Sequence, residues 1–285
     1  MLHELAPGVY VATGYEGGNI GLIQTPRGAV LVDTPMLPAE AQQWQETLRQ
    51  LGVESIYCII NTDFHPERFL GNAWFMPTRI WSHASALKTI TKYKTSLEQT
   101  TATPEEQDSS LPPDIWAKNE VYLPELYVGD HATLHLGERR IELLHLDGHT
   151  PASLGVYLPQ ERVLFAGDNV VRNEHPVMAQ ANSLAWLETL QRIRELDVEY
   201  IVPGAGEPAG KELLDPLEHY IREMRQRVET LFQSGASRRE CVDKVGLLDY
   251  FPFSEDQASR MKRRRRENVE RVYAEIRTAQ ARARR

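Results

Sequence analysis

The architecture of this chain can be inferred from one polar segment, Asn61-Thr62-Asp63-Phe64-His65-Pro66-Glu67-Arg68-Phe69-Leu70-Gly71-Asn72. It follows the apolar, β-branched residues 54–61, a pattern that is typical of a buried strand. Carboxylates, an imidazole and a guanidinium therefore gather where that strand ends, at Asp63, His65, Glu67 and Arg68. Ionisable groups in such a place predict either a metal site or a buried ion network.

Three later segments carry groups of similar chemistry. They are Gly148-His149-Thr150-Pro151-Ala152-Ser153, Phe165-Ala166-Gly167-Asp168 and Val202-Pro203-Gly204-Ala205-Gly206. Together with residues 61–72, they resemble in order and spacing the signatures of the metallo-β-lactamase-fold hydrolase superfamily. Those signatures read His-x-His-x-Asp-His-x-x-Gly, Gly-His-Thr-Pro-Gly-Ser, Gly-Asp and Pro-Gly-His-Gly. Separate matches in the right order are much harder to obtain by chance than one short motif.

The resemblance implies the fold. It is a four-layer αββα sandwich, an α/β (α+β) architecture in which the site lies at the seam between two sheets. The residue pattern alone indicates mixed α and β structure, with strand-like and helix-like segments in each half. We predict that residues 1–233 form the αββα domain and that residues 234–285 add a C-terminal helical extension packed on or beside it.

Local signals predict several boundaries. Residues 95–115 are polar and rich in Ser, Thr, Pro and Glu, which indicates a loop or lid. Ser183 is the expected cap of a helix that carries Leu184 and Leu187, and Ser254 is the expected cap of the last helix. One expected use of the C-terminal extension is as the contact surface of a homodimer.

The resemblance also implies a metal centre. In the family, the first ion is held by two histidines of the loop and by the histidine of the Gly-His-Thr segment. The corresponding residues here are Asp63, His65 and His149. Two imidazoles and a carboxylate suit zinc, and Asp168 can complete the coordination shell. Iron is the less expected ion, because the sequence offers no flavin or cysteine partner for redox chemistry.

The second ion of the family would need Glu67, Arg68, Asp168 and Ala205, and here the motif is degenerate. A methyl group cannot bind a metal, and a guanidinium is permanently charged and only donates hydrogen bonds. We therefore expect at most one metal ion. Arg68 is expected to stand where the second ion would be, pairing with Asp168 or Glu67 or clamping an anionic substrate. The predicted catalytic residues are Asp168, Glu67 and Arg68.

Two residues outside these ligand positions are expected to contribute. Asp33 corresponds to a family position that braces the loop through hydrogen bonds, so we expect it to support the site without binding the metal. His175 follows Asp168 by a few residues, so one expectation is that it approaches the pocket and replaces the lost imidazole, and the alternative is that it is a surface histidine.

Two functions from different classes remain open. With one zinc or iron ion, the protein would hydrolyse a small ester, thioester, lactone or amide by metal-activated water. Without a metal, Asp63, Glu67, Arg68 and Asp168 could balance one another as an ion network. The fold would then be catalytically inactive and would act as a binding or regulatory protein. In both cases the expected partner is a small, anionic molecule.

Composition argues against other classes. The 285 residues carry a net charge of −8, which argues against a nucleic-acid-binding surface. The basic run over residues 262–266 is better explained as a solvated helix face than as a nucleic-acid patch. The chain has no apolar run long enough to span a bilayer and no pattern of an export signal at its amino terminus, so we expect a cytoplasmic protein.

Overall fold

Two β-sheets form the centre of the molecule in the computed structural model, which describes residues 1–99 and 120–283. The first sheet has seven strands in chain order: β1 (Leu2–Ala6), β2 (Val9–Ala12), β3 (Ile20–Ile23), β4 (Ala29–Val32), β5 (Ile56–Ile60), β6 (Arg79–His83) and β7 (Leu126–Val128). Strands β1 to β4 pair antiparallel and β4 to β7 pair parallel. The residues that follow the parallel strands β4 and β5 therefore meet at one edge of the sheet.

The second sheet has five strands in the order β12-β11-β10-β9-β8. They are β8 (His131–Leu136), β9 (Arg139–His145), β10 (Leu154–Leu158), β11 (Val163–Val171) and β12 (Tyr200–Ala205). Among the described residues, the α-helices are α1 (Pro38–Gln50), α2 (Pro66–Phe69), α3 (Ala86–Gln99), α4 (Ser183–Glu195), α5 (Leu214–Gln233), α6 (Arg238–Lys244) and α7 (Ala258–Ala283).

The two sheets pack face to face across one hydrophobic core. Val32 and Ile60 from the first sheet and Leu143 and Phe165 from the second belong to one cluster of buried side chains. On the outside, α1 covers the first sheet through Trp44, and α4 and α5 cover the second sheet through a separate cluster. This layering confirms the predicted αββα sandwich.

The helices beyond residue 233 share their core with the sandwich. Cys241 of α6 and Val269 of α7 lie in the same buried cluster as Trp186 of α4 and Met224 of α5. The C-terminal helices therefore pack against α4 and α5. A domain boundary at residue 233 and a homodimer contact stay predictions.

Two arginines of the basic run have structural partners. Arg264 donates a hydrogen bond to the carbonyl oxygen of His175 at 2.7 Å, and Arg265 donates to the carbonyl oxygen of Val242 at 2.7 Å. The exposed members of the run are Lys262, Arg263 and Arg266. The run is therefore partly a solvated helix face and partly a set of ties to neighbouring segments.

The predicted helix caps are right in one case and displaced in the other. Ser254 precedes a 3₁₀ turn that leads into α7, and its amide donates to Gln257 Oε1 at 3.2 Å. Helix α4 is capped by Asn182 instead of Ser183, because the Asn182 side chain accepts a hydrogen bond from the amide of Ala185 at 3.3 Å. Ser183 is the first residue of the helix.

The predicted loop over residues 95–115 is wrong at its beginning. Helix α3 continues to Gln99. The polar residue Thr95 fits within it, because its hydroxyl donates to the carbonyl oxygen of Thr91 one turn earlier at 2.9 Å. Residues 100–115 lie outside the described residues.

The helices give one observation on membranes. No helix in residues 1–99 and 120–283 combines the length and apolarity needed to cross a bilayer. The longest, α7, has 26 residues and is rich in arginine and glutamate. The cytoplasmic location stays a prediction.

The packing of the first sheet predicts the effect of a core substitution. We expect Ile59→Ala to lower the free energy of unfolding by about 2–5 kcal/mol, because a fully buried side chain of β5 is replaced by a cavity. Tyr57→Ala on the same strand removes a side chain that is 39% exposed and should lower it by less than about 1 kcal/mol. Urea denaturation measures both, and equal losses would contradict this packing.

Candidate metal centre

The first half of the site is built on the parallel strands β4 and β5. Asp33 follows β4, and its carboxylate accepts two hydrogen bonds from Thr62, from the amide at 2.8 Å and from the hydroxyl at 2.7 Å. Burial raises the pKa of Asp33 to about 7. Asp33 thus fixes the start of the polar segment after β5, and it is absent from the group of ligand atoms described below.

The second sheet contributes His149 and Asp168. His149 lies in the turn between β9 and β10, where its amide donates to Asn169 Oδ1 at 3.1 Å. The ring nitrogen Nδ1 of His149 lies 3.1 Å from the carbonyl oxygen of Val177. A carbonyl oxygen can only accept, so Nδ1 carries the proton and the lone pair of Nε2 is left for the centre of the site.

Four side chains converge on one point. Ligand atoms of Asp63, His65, His149 and Asp168 all lie within 4.8 Å of one another. His65 Nδ1 lies 3.1 Å from Asp63 Oδ2 and 3.2 Å from His149 Nε2. His149 Nε2 lies 3.4 Å from Asp63 Oδ2 and 3.8 Å from Asp168 Oδ2. Ligand atoms around a tetrahedral zinc ion are about 3.3 Å apart when the bonds are about 2.0–2.1 Å long. Asp63, His65 and His149 therefore have the spacing that one small divalent cation needs, and Asp168 Oδ2 lies slightly farther out.

The electrostatics of the cluster favour a bound cation. Burial opposes a charge on His65, but the adjacent Asp63 carboxylate outweighs this effect and raises the pKa of His65 to about 9. Burial also opposes ionisation of Asp63, yet the charge of the adjacent His65 outweighs this effect and holds the pKa of Asp63 well below its usual range. Near neutral pH the metal-free cluster therefore carries a proton, which metal binding has to release.

Arg68 forms a buried ion pair with Asp168. Its Nε and Nη2 donate to Asp168 Oδ2 and Oδ1 at 3.1 Å and 2.5 Å, and 3% of the Arg68 side chain is exposed. Further hydrogen bonds join Nη2 to the carbonyl oxygen of Gly204 at 3.3 Å and Nη1 to that of Asn19 at 3.5 Å. Because these donors are used within the protein, the geometry favours Arg68 as a fixed cation over Arg68 as a substrate clamp.

Two glycines make room for the guanidinium. A Cβ on Gly204 would lie 1.9 Å from Asp168 Oδ1 and 2.9 Å from Arg68 Nη2. Gly18 has φ of +102°, and a Cβ there would lie 2.3 Å from the carbonyl oxygen of Gly204. Neither role is visible in the sequence, although Gly204 belongs to one of the four motifs.

Two other candidate residues lie apart from the cluster. Glu67 is half-buried in the first turn of α2, and its carboxylate is not among the converging ligand atoms. His175 is buried, with Nε2 donating to the carbonyl oxygen of Leu248 at 3.1 Å and the ring packed against Tyr220. Both alternatives for His175 are wrong, because the C-terminal part of the chain covers it.

An αββα sandwich with a buried cluster of histidine and aspartate contributed by both sheets has the architecture of a metallohydrolase. A sequence model of the metallo-beta-lactamase superfamily matches residues 13–205. The chain belongs to that superfamily.

Curated relatives are distant. A linear primary-alkylsulfatase from Pseudomonas sp. (strain ATCC 19151) is 19% identical over 260 residues, which cover 79% of this chain and 49% of the relative. Metallo-beta-lactamase type 2 from Bacteroides fragilis is 28% identical over 123 residues, which cover 41% of this chain and 48% of the relative. The chain spans about half the length of these two relatives.

Solved structures share the fold. A stereoselective inverting sec-alkylsulfatase from Pseudomonas sp. matches with a TM-score of 0.69 and 16% sequence identity. The matched region covers 95% of this chain and 49% of the sulfatase chain. The DIM-1 metallo-beta-lactamase matches with a TM-score of 0.61 and 18% sequence identity. The matched region covers 78% of this chain and 96% of the DIM-1 chain. At these identities the likeness shows the fold alone.

The tight space around the ion pair leads to a stability prediction. We expect Gly204→Ala to lower the free energy of unfolding by about 3–5 kcal/mol, because the added methyl group would separate Arg68 from Asp168 in a buried site. Gly129→Ala is the control, since a Cβ there meets nothing within 4 Å. Urea denaturation compares the two, and a Gly204→Ala protein as stable as the control would contradict the close approach described here.

The raised pKa of His65 predicts that the stability of the metal-free protein depends on pH. The pKa is about 9 in the folded protein against a usual 6.5. Stabilisation by the protonated ring is therefore complete below about pH 6.5 and is lost as the pH rises through 9, with a change of about 3 kcal/mol at most.

Urea denaturation in the presence of a chelator, between about pH 7 and about pH 9, measures this loss. The raised pKa of Asp33, about 7, acts in the same direction but mainly below this window. His65→Gln should remove the dependence, and an unchanged slope in that variant would assign the effect to another group.

Proposed function

We propose that this protein is a hydrolase that uses one metal ion, zinc in preference to iron. The convergence of Asp63, His65, His149 and Asp168 carries this proposal. Arg68 supports a single ion, because its guanidinium already places a fixed positive charge beside Asp168. A second cation there would be repelled by the positive charge of Arg68, and the guanidinium has no lone pair with which to bind it.

The residues of the cluster have distinct proposed roles. A cation bound among them would act as a Lewis acid and lower the pKa of a coordinated water to about 7. Asp63 is held in place by the amide of His65, which donates to Asp63 Oδ1 at 2.7 Å. Asp168 Oδ2 lies between the Arg68 guanidinium and His149 Nε2, so it would orient the attacking water by accepting a hydrogen bond.

Glu67 and Arg68 have supporting roles in the proposal. Glu67 is half-buried, and its charge contributes to the raised pKa of His65, so its proposed role is to add negative charge beside the cluster. Burial opposes ionisation of Asp168, but the Arg68 guanidinium outweighs it and lowers the pKa of that carboxyl group. The fixed charge of Arg68 also favours substrates with an anionic group.

The proposed substrate is a small ester, thioester, lactone or amide. Two of the similar proteins named above are alkylsulfatases, which adds sulfate esters to the classes to be tested. Because this chain spans about half of each, their activities enter here as hypotheses.

The second candidate function is metal-free binding of an anionic ligand by a catalytically inactive protein. One observation favours it: the groups of the site already have partners, with His65 Nδ1 at 3.1 Å from Asp63 and Arg68 paired with Asp168. Such a network can persist without a metal. The two candidates differ in whether zinc binds.

Zinc titration tests the proposal. We expect protein stripped with a chelator to bind about one equivalent of zinc, and to hydrolyse a member of the five substrate classes only when loaded. Calorimetry gives the stoichiometry, and a chromogenic panel gives the activity. His149→Gln should weaken zinc binding at least about tenfold, because it removes an imidazole ligand.

His131→Gln is the matched control, because His131 lies on β8 and is absent from the cluster of ligand atoms. It should bind zinc as the wild type does. Uptake of two equivalents would overturn the single-ion proposal. A wild-type protein that takes up no zinc would favour the metal-free alternative.

A further inference from the structure

One face of α7 follows the segment from residue 174 to residue 183, here called the 174–183 segment. The face is formed by Arg264, Asn268, Arg271 and Glu275, whose spacing of four, three and four residues places them in one row. Arg264 donates to the carbonyl oxygen of His175 at 2.7 Å and Arg271 to that of Ala181 at 2.5 Å. Glu275 accepts from the amide of Ser183 at 3.2 Å. The helix therefore holds the segment in register along its length.

Asn268 is the member of this row nearest to the metal centre along the chain of hydrogen bonds. It is fully buried. Its Oδ1 accepts from the amide of Met178 at 2.9 Å, and its Nδ2 donates to the carbonyl oxygen of Pro176 at 2.9 Å and to the hydroxyl of Tyr220 at 3.3 Å. One side chain thus fixes the residues immediately before and after Val177.

Val177 is the residue that orients His149. Its carbonyl oxygen accepts the Nδ1 proton of His149 at 3.1 Å. The Val177 carbonyl shares one planar peptide unit with the Met178 amide, so the hydrogen bond from that amide to Asn268 sets the direction of the carbonyl. The bond from Asn268 to the Pro176 carbonyl oxygen holds the preceding peptide unit. If the carbonyl rotated, Nδ1 of His149 would have no acceptor. The proton would then no longer be held on Nδ1, and the ring would no longer be held with Nε2 toward the other ligands.

We propose that Asn268 is a positioning residue of the metal centre, which acts through Val177 to set the tautomer and orientation of His149. The C-terminal helix α7 then helps to orient a ligand of the metal centre. The consequence for metal affinity rests on the proposed function, whereas the tautomer of His149 can be observed in the metal-free protein.

The test uses Asn268→Leu, which keeps the number of side-chain heavy atoms and removes all three hydrogen bonds, and Asn268→Asp, which keeps an acceptor for Met178 and loses the donors to Pro176 and Tyr220. Long-range ¹H–¹⁵N spectra of the metal-free full-length chain, with His149 assigned from His149→Gln, show which ring nitrogen carries the proton. We expect Nδ1–H in the wild type and a mixture of tautomers in Asn268→Leu. Zinc affinity should fall about 10–100-fold in Asn268→Leu and by less in Asn268→Asp.

Glu275→Gln is the matched control. It weakens the same helix face at Ser183, six residues after Val177, and should leave both the tautomer and the zinc affinity unchanged. A folded Asn268→Leu protein with the wild-type tautomer would overturn the proposal, and so would an equal change in Glu275→Gln. If Asn268→Leu does not fold, Asn268→Asp decides. Loss of the donors to Pro176 and Tyr220 should shift part of His149 to the other tautomer and lower the zinc affinity, and wild-type values of both would overturn the proposal.

Failure of the proposed function has a different signature. If the wild type binds no zinc, the single-ion hydrolase is excluded while the tautomer measurement still tests Asn268. If the wild type binds zinc and the Asn268 variants keep its zinc affinity and its His149 tautomer, the single-ion hydrolase proposal is retained and the positioning role of Asn268 is excluded.

Discussion

The buried ion pair between Arg68 and Asp168 is the constraint around which the site is arranged. A charge removed from water has to be paired, and one guanidinium cannot balance the carboxylates of Asp33, Asp63 and Asp168 together. Asp33 lies 3.8 Å from the guanidinium, and burial raises its pKa to about 7, so it is the carboxylate that most readily becomes neutral. The remaining charge falls on Asp63, where a protonated His65 balances it. A metal ion can take the place of that proton, which is why the cluster suits a cation without requiring one to fold.

A guanidinium is not equivalent to an ion in this position. It brings charge but accepts no lone pair, so it cannot activate a water molecule or coordinate a substrate oxygen. It is also planar and large, and the backbone has to withdraw to admit it, as it does at Gly18 and Gly204. The neighbouring residue in the chain, Ala205, has no side-chain atom that could bind a metal. Position 68 therefore contributes a fixed charge to the site, and position 205 contributes no ligand.

The layers of the fold were predicted from the resemblance of the four motifs to a known family, because the residue pattern alone indicates only mixed α and β structure. The group of potential ligands was predicted from the residues of the motifs themselves. Motifs at the ends of strands are local, so their chemistry survives in the sequence, and Asp63, His65, His149 and Asp168 were expected together. The pairing of Arg68 with Asp168 was one of three alternatives that the motif positions and the charge of Arg68 left open, beside pairing with Glu67 and clamping an anionic substrate, and the structure shows the first. The space that Gly18 and Gly204 leave for the guanidinium has no local pattern in the sequence, because it depends on which atoms come close together after folding. The cap of α4 was misplaced by one residue because Asn182 and Ser183 are both good capping residues, and the extended backbone of Asn182, with φ of −113° and ψ of 102°, selects it.

The C-terminal helices show most clearly what local patterns cannot give. Asn268 lies 119 positions after His149 in the sequence, and no spacing rule connects them. The basic run before it has the appearance of a solvated surface, yet Arg264 and Arg265 are tied to carbonyl oxygens. The superposition on the sec-alkylsulfatase covers 95% of the chain, whereas that on the DIM-1 enzyme covers 78%. Helices that share a buried core with α4 and α5, and that hold the segment against which His149 is oriented, belong to the architecture of the site.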